Sequence, residues 1–139
     1  MVYESNQVFI DTSFFKALVD PQDQFYNQAV AIIKKLKEED ILLITSNYIL
    51  DESFTLLRVK RNLELAILLR EFISKSVAAI KIARVTVADE ARAWKWFLLD
   101  WSDLSFTDCV SFALMERLKL QRVATFDKDF QRAGFQICS

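Results

Sequence analysis

Four carboxylates stand where this chain can gather side chains to do chemistry. Asp11 follows the apolar run Val8-Phe9-Ile10, Asp127 follows Val123-Ala124-Thr125-Phe126, and Glu52 and Asp108 lie on stretches of helical pattern. In an open α/β sheet ligands bind outside the carboxyl ends of the strands, so all four can face one crevice. Acids packed together repel and take up protons unless a cation sits among them. A hard divalent ion with oxygen ligands, Mg²⁺ or Mn²⁺, meets that demand. Such an ion also lowers the pKa of a bound water enough to make it a nucleophile. What the chain lacks points the same way. It has no histidine, which removes Ser-His-Asp and Cys-His catalysis and His-ligated zinc. Its one glycine, Gly134, excludes the glycine-rich phosphate loops. Cys109 and Cys138 lack metal-binding spacing and are not expected to form a disulfide framework.

Each acid also has an ordinary use. Asp11 can cap a helix, although Thr12 and Ser13 could cap it equally well and leave Asp11 free. On a helical wheel of about 100° per residue, Glu52 falls between Val59 and Leu56 at the edge of the apolar arc. Asp51 falls on the polar side with Thr55 and Arg58. A carboxylate at a core-facing edge is costly unless it is paired or metal-bound, so a buried ion pair is the alternative for Glu52. Asp108 can serve a helix dipole, but it shares a side with Phe112 and Met115, and Ser105 and Thr107 already offer caps. Asp127 can cap the turn that follows it. Asp103 and Asp129 read as solvated.

The elements that must position these acids alternate. Strands are expected over Gln7–Ile10, 41–44, 79–83, 123–126 and 135–138. Helices are expected over 14–19, 25–37, 48–60, Leu63–Lys75 and 108–118, with another capped by Thr86 and a short turn over 128–132. Asp20-Pro21 ends the first helix, Asp23 opens the second, and Thr45-Ser46-Asn47 offers caps to the third. Alternation of this kind predicts a mostly parallel sheet with helices on both faces. The 139 residues are expected to form one domain, and a 53% hydrophobic content with 12 phenylalanines predicts a dense aromatic core. A net charge of −1 means that a nucleic-acid partner must use a local patch. Candidates are Arg58, Lys60 and Arg61, or Lys128 and Arg132, with Trp94, Trp96 or Trp101 to stack on bases. The ordinary reading of these residues is solvated charge and core packing. No leader pattern or bilayer-spanning run is visible, which predicts a soluble cytoplasmic protein. Apolar side chains over 63–72 and 110–118 exceed what one small domain covers, which points to a homodimer or a bound peptide.

Four stretches occur in order along nearly the whole chain: Phe9-Ile10-Asp11-Thr12-Ser13, Thr45-Ser46-Asn47-Tyr48-Ile49-Leu50-Asp51-Glu52, Leu104-Ser105-Phe106-Thr107-Asp108-Cys109 and Ala124-Thr125-Phe126-Asp127-Lys128-Asp129-Phe130. Gly134-Phe135 closes the set. In this order and spacing the chain resembles the PIN-domain ribonucleases, the family that includes VapC-type toxins. The resemblance implies a three-layer α/β/α fold whose five-stranded sheet runs in the order 3-2-1-4-5. It implies endonucleolytic cleavage of RNA with Mg²⁺ or Mn²⁺, with Asp11, Glu52, Asp108 and Asp127 as the catalytic and metal-site acids. Thr12 or Ser13 matches the family's frequent hydroxyl beside the first acid. Thr12, Ser13, Arg58 and Arg61 are the expected RNA contacts, and a homodimer and an antitoxin protein are the expected protein partners. Three other readings stand beside this one. A catalytically silent PIN-fold module that binds protein or RNA is argued against by the intact acids. A phosphatase of the haloacid-dehalogenase type wants a second aspartate two residues after the first, where this chain has Ser13. DNA as substrate would need gripping elements for which the chain has no room.

Overall fold

The computed structural model describes residues 6–139; the N-terminal residues 1–5, on which the reading of a missing leader partly rests, lie outside it. Strand β1 (Gln7–Ile10) is followed by helices α1 (Thr12–Val19) and α2 (Tyr26–Glu38), then by β2 (Leu42–Ser46). Helices α3 (Asn47–Lys60) and α4 (Leu63–Lys75) lead to β3 (Ile80–Ala83). Helices α5 (Val87–Phe97) and α6 (Phe106–Leu118) lead to β4 (Arg122–Ala124), and α7 (Asp129–Arg132) leads to β5 (Gln136–Ile137). The strands form one five-stranded sheet in the order β3-β2-β1-β4-β5, with every pairing parallel. The expected order is therefore observed.

The chain steps outward from β1 to β2 to β3, then crosses back to β4 on the other side of β1. The connections of β1 and β4 thus leave in opposite directions, and a crevice opens between the carboxyl ends of these two strands. Right-handed crossovers put α1–α4 on one face of the sheet and α5 and α6 on the other. In register, Ile10 pairs with Ala124, and the Asp11 N–H donates to the Ala124 carbonyl at 3.3 Å. On the other flank of β1, the Thr45 hydroxyl donates to the Ile10 carbonyl at 2.9 Å.

The core is aromatic, as the composition predicts. Phe9, Phe14, Phe15, Phe112 and Phe130 are fully buried. Helix α6 departs from expectation. Seven consecutive residues, Cys109–Met115, are buried on every side of it, so the apolar run over 110–118 is covered by the chain itself and leaves no surplus for a partner. Helix α4 does carry such a surplus, with Leu63, Ile67 and Leu68 exposed. Both cysteines are free.

Several boundaries move, each for a local hydrogen-bonding reason. Strand β2 extends to Ser46, whose hydroxyl accepts from the Ile49 N–H and caps α3. Helix α6 starts at Phe106 under a Ser105 cap, so Thr107 is not the cap. Strand β4 stops at Ala124, and Asp127 lies beyond its end rather than on it. The strand ends early because the Thr125 hydroxyl accepts from the Asp127 N–H at 2.9 Å and folds the chain over. Asp23 does not cap α2; it accepts from the Phe25 N–H at 2.8 Å and pairs with Lys16 at 2.6 Å. Gly134 has φ 106, a conformation that favours glycine and turns α7 into β5.

One ion pair fixes the far end of α6. Arg117 donates to both oxygens of Asp89, at 2.8 and 2.9 Å, and to the Arg84 carbonyl at 3.2 Å. Asp89 also completes the capping box of α5 with Thr86 and is fully buried. Burial raises its pKa, but the Arg117 and Thr86 hydrogen bonds outweigh burial and hold it below the usual carboxylate value. A depressed folded-state pKa gives stability that is present above the unfolded value, about 3.9, and lost as pH falls through the folded one. Arg117→Ala should therefore cost roughly 3 kcal/mol at neutral pH. Urea titrations should show the gap to wild type closing as pH drops below about 4.

Candidate active site

The crevice between β1 and β4 holds Asp11, and its neighbours define the site. Asp11 is 3% exposed. Its carboxylate accepts from the Phe14 N–H at 3.1 Å, capping α1, from Ser13 Oγ at 2.9 Å and from Thr125 Oγ1 at 2.7 Å. The helix-cap reading of Asp11 is thus correct, and Thr12 and Ser13 are not the caps. Both of their hydroxyls are turned to acids instead. Ser13 Oγ also accepts from the Phe126 N–H at 2.9 Å, and Thr12 Oγ1 donates to Glu52 Oε1 at 2.5 Å. Ser13 and Thr125 therefore stitch the end of β1 to the start of the loop that carries Asp127.

Glu52 reaches the crevice from α3, and Asp108 from the first turn of α6. Asp108 accepts from the Ser105 N–H at 3.3 Å, while its own N–H donates to Ser105 Oγ at 3.0 Å. This capping box fixes where the carboxylate points. Asp127 accepts from the Asp129 N–H at 2.9 Å and caps the turn into α7. The partly exposed Glu52 opens on a groove of about 380 Å³ between Leu56, Val59 and Lys60 of α3 and Thr107 of α6. Val59 at the edge of the apolar arc is 68% exposed, so the rim on which Glu52 sits faces solvent.

The charges act on one another. Burial pushes Asp11 up to about 7, against the hydrogen bonds from Thr125, Phe14 and Ser13, and the charge of Asp108 raises it further. Burial likewise lifts Asp108 to about 7, with the charges of Asp127 and Glu52 adding to the rise against the Ser105 hydrogen bonds. Asp127 and Glu52 thus act on Asp108, and Asp108 in turn acts on Asp11. Asp129 also has a raised pKa, from burial and Asp127, and is partly buried rather than solvated.

Among the described residues, no three acids are drawn tightly enough together to hold an ion as they stand. The donor set nevertheless fits a hard cation. Every ligand on offer is a carboxylate or hydroxyl oxygen, and Mg²⁺ takes one or two carboxylates while keeping several waters. A positive charge beside Asp108 would also offset the repulsion that adds to burial in lifting Asp11 and Asp108.

A PIN domain family model matches residues 8–136. The chain belongs to the PIN-domain family. It is 33% identical over 130 residues to the 23S rRNA-specific endonuclease VapC20 of Mycobacterium tuberculosis, covering 92% of this chain and 95% of the relative. The crystal structure of M. tuberculosis VapC20, described as a sarcin-ricin loop cleaving toxin, superposes with a TM-score of 0.79 at 32% identity, over 92% of this chain and 95% of that one. FitAcB from Neisseria gonorrhoeae shares the fold alone, with a TM-score of 0.64 at 19% identity over 95% and 96% of the two chains.

The expected RNA contacts fare unequally. Arg58 is exposed. Arg61 is taken up by the fold: its guanidinium pairs with the buried Asp20 at 2.7 Å and 3.3 Å and with Gln22 at 3.1 Å. That pairing joins the α1–α2 loop to the α3–α4 loop. Trp96 packs edge-on against the core Phe112 at 5.2 Å. Trp94 packs against Phe97 and Phe106. Thr125 was not singled out as a site residue from the sequence. The signal for it was its place two residues before a candidate acid, at the end of a strand-like run.

The raised values carry a sign for stability. An aspartate whose folded pKa lies above its unfolded value of about 3.9 binds a proton in the folded state that the unfolded state has released. Stability of the metal-free protein must then fall as pH rises from about 4 to about 7. In EDTA at about pH 7.5, Asp108→Asn should melt higher than wild type, by roughly 3 °C for about 1 kcal/mol regained. The gap should shrink as pH falls toward about 4 and vanish below about pH 3, where both states hold the proton.

Proposed function

We propose that this chain is an endoribonuclease that depends on Mg²⁺ or Mn²⁺, with Asp11, Glu52, Asp108 and Asp127 as its catalytic and metal-site acids. Ribonuclease function follows from the PIN-domain family and the VapC20 relative. The observation that carries the metal reading is the linkage of four acids at one crevice: Asp127 and Glu52 act on the Asp108 carboxylate, and Asp108 acts on the buried Asp11. Without histidine, neither a His base nor a His acid is available for cleavage assisted by the RNA's own 2′-hydroxyl.

The residues divide the work. Asp11, gripped by Thr125, Ser13 and the Phe14 N–H, presents its carboxylate in one fixed orientation. Thr12, at the start of α1, orients Glu52 of α3. Asp108, rigid in its capping box, and Asp127, held by the turn into α7, would complete the acid set around the ion. A bound Mg²⁺ or Mn²⁺ supplies an activated water and neutralises charge at the scissile phosphate. Water attack in line leaves a 5′-phosphate and a 3′-hydroxyl.

The substrate is RNA in the cytoplasm, approached through the exposed cations of the α3 end, Lys60 at the groove beside Glu52 and Arg58 on the same helix. A homodimer or an antitoxin protein fits the exposed apolar side chains of α4 and those of α5, where Val87, Trp94 and Leu98 lie on one face. Among the described residues no helix is long and apolar enough to cross a membrane.

A pool of labelled RNAs should be cut by wild type in Mg²⁺ or Mn²⁺, and not in EDTA or by Asp11→Asn. Products ending in 2′,3′-cyclic phosphate, or cutting that survives both EDTA and Asp11→Asn, would overturn the mechanism. Thr125→Val should weaken Mn²⁺ binding, read by calorimetry, by about 10–100-fold, the usual effect of removing a group that orients a ligand. Thr125→Ser should restore most of it.

A further inference from the structure

The loop between α5 and α6 and the short helix α7 bring together two side chains that the four acids do not use. Trp101 lies in that loop, before Asp108, and Arg132 ends α7, after Asp127. The guanidinium carbon of Arg132 lies over the indole of Trp101, 4.3 Å from the ring centroid. The indole is braced from the core: it meets Trp96 edge-on at 6.2 Å, and Trp96 meets the buried Phe112. Arg132 is exposed, and its guanidinium makes no ion pair or hydrogen bond among the described residues. Arg61 and Arg117 behave differently, each being spent on a buried aspartate. Lys128, also exposed, lies one helical turn before Arg132, and the Arg132 N–H donates to its carbonyl at 3.0 Å. Residues four apart share a helix side and sit about 6 Å apart along the axis. An aromatic edge with two exposed cations, Lys128 and Arg132, and Asp129 between them in sequence, therefore begins at the residue next to Asp127.

We propose that Trp101 and Arg132 form a stacking site for one unpaired RNA base beside the acids, with Arg132 and Lys128 each meeting an adjoining phosphate. The inference rests on the ribonuclease reading above and adds where the strand lies. Guanidinium and indole planes both stack on bases, and do so for any base that has left its duplex. A cation parked on an aromatic ring is held in place; the charge of Arg132 acts on Asp129 without forming an ion pair with it, so the guanidinium stays open to a phosphate. Trp94 has no cation over it; Trp96 has Lys95 over its ring at 5.1 Å, but Lys95 is paired with Glu116 and the ring packs against Phe112, so neither offers the same combination. The site favours loops and single strands over duplex, because a paired base cannot reach it.

The test uses the Asp11→Asn protein, which keeps RNA intact, with Mn²⁺ and a fluorescein-labelled single-stranded RNA of mixed sequence. Adding Trp101→Leu should weaken binding about tenfold, and Trp101→Phe should keep most of the affinity. Arg132→Gln should weaken binding and reduce the slope of log affinity against log salt by about 0.7, one phosphate contact's worth. Trp101→Leu should leave that slope unchanged. RNA should quench indole emission in the parent and quench it less in Trp101→Phe. Wild-type affinity in both Trp101→Leu and Arg132→Gln would overturn the stacking site, as would a Trp101→Phe defect equal to that of Trp101→Leu. Arg132→Gln touches only an exposed side chain, so it decides the matter even if Trp101→Leu folds poorly. Cleavage by wild type, run in parallel, separates the two claims. Cutting with unaffected variants sinks the stacking site alone, and absence of both binding and cutting by wild type sinks the ribonuclease reading with it.

Discussion

Burying the carboxylate of Asp11 takes it out of water, and three hydrogen bonds return only part of that cost. The remainder shows as a pKa near 7. The position is imposed by topology. Asp11 is the first residue past β1, its N–H is held by the Ala124 carbonyl of β4, and both neighbouring strands are paired along their length. The carboxylate cannot swing to solvent without giving up the α1 cap and the Ser13 and Thr125 bonds together. A group so held stores electrostatic free energy that a cation can release, which is how a site becomes selective for positive charge before any ion arrives.

Helix α6 delivers the second half of that tension. Because it is buried on all sides, its axis is set by the core, and at its far end the Arg117–Asp89 pair ties it to the start of α5. Asp108 therefore enters the crevice from a rigid support, in a capping box that fixes its direction. Glu52 differs: it hangs from α3 at a solvent-facing rim with the Thr12 hydroxyl as its hold, so it is the acid with most freedom to adjust.

Much of this was legible in the residues. An apolar run ending in an acid marked Asp11, and the wheel put Glu52 on an edge. The alternation of elements gave the parallel sheet, while its strand order came with the family resemblance. The misses share a physical cause, since they concern interactions between residues far apart in sequence. Arg61 reads as free charge because Asp20, its partner, is 41 positions away. Thr125 reads as a strand former, yet it works as a clamp because Asp11 pairs its strand with β4. Helix α6 lacks a polar face to reveal which side is buried, so its apolar surplus looked like an interface.

Two of the acids, Asp11 and Asp108, serve as helix-cap groups as well as facing the crevice, and these uses support each other. A cap fixes a short side chain to within the tolerance that a metal site or a catalytic group demands. Asparagine keeps most cap hydrogen bonds while removing the charge, whereas alanine removes both. At these positions a loss of function in an alanine variant mixes lost geometry with lost charge. An asparagine variant isolates charge, and a hydroxyl change at Thr125 isolates geometry, so only the two together can separate holding an acid in place from the chemistry the acid performs.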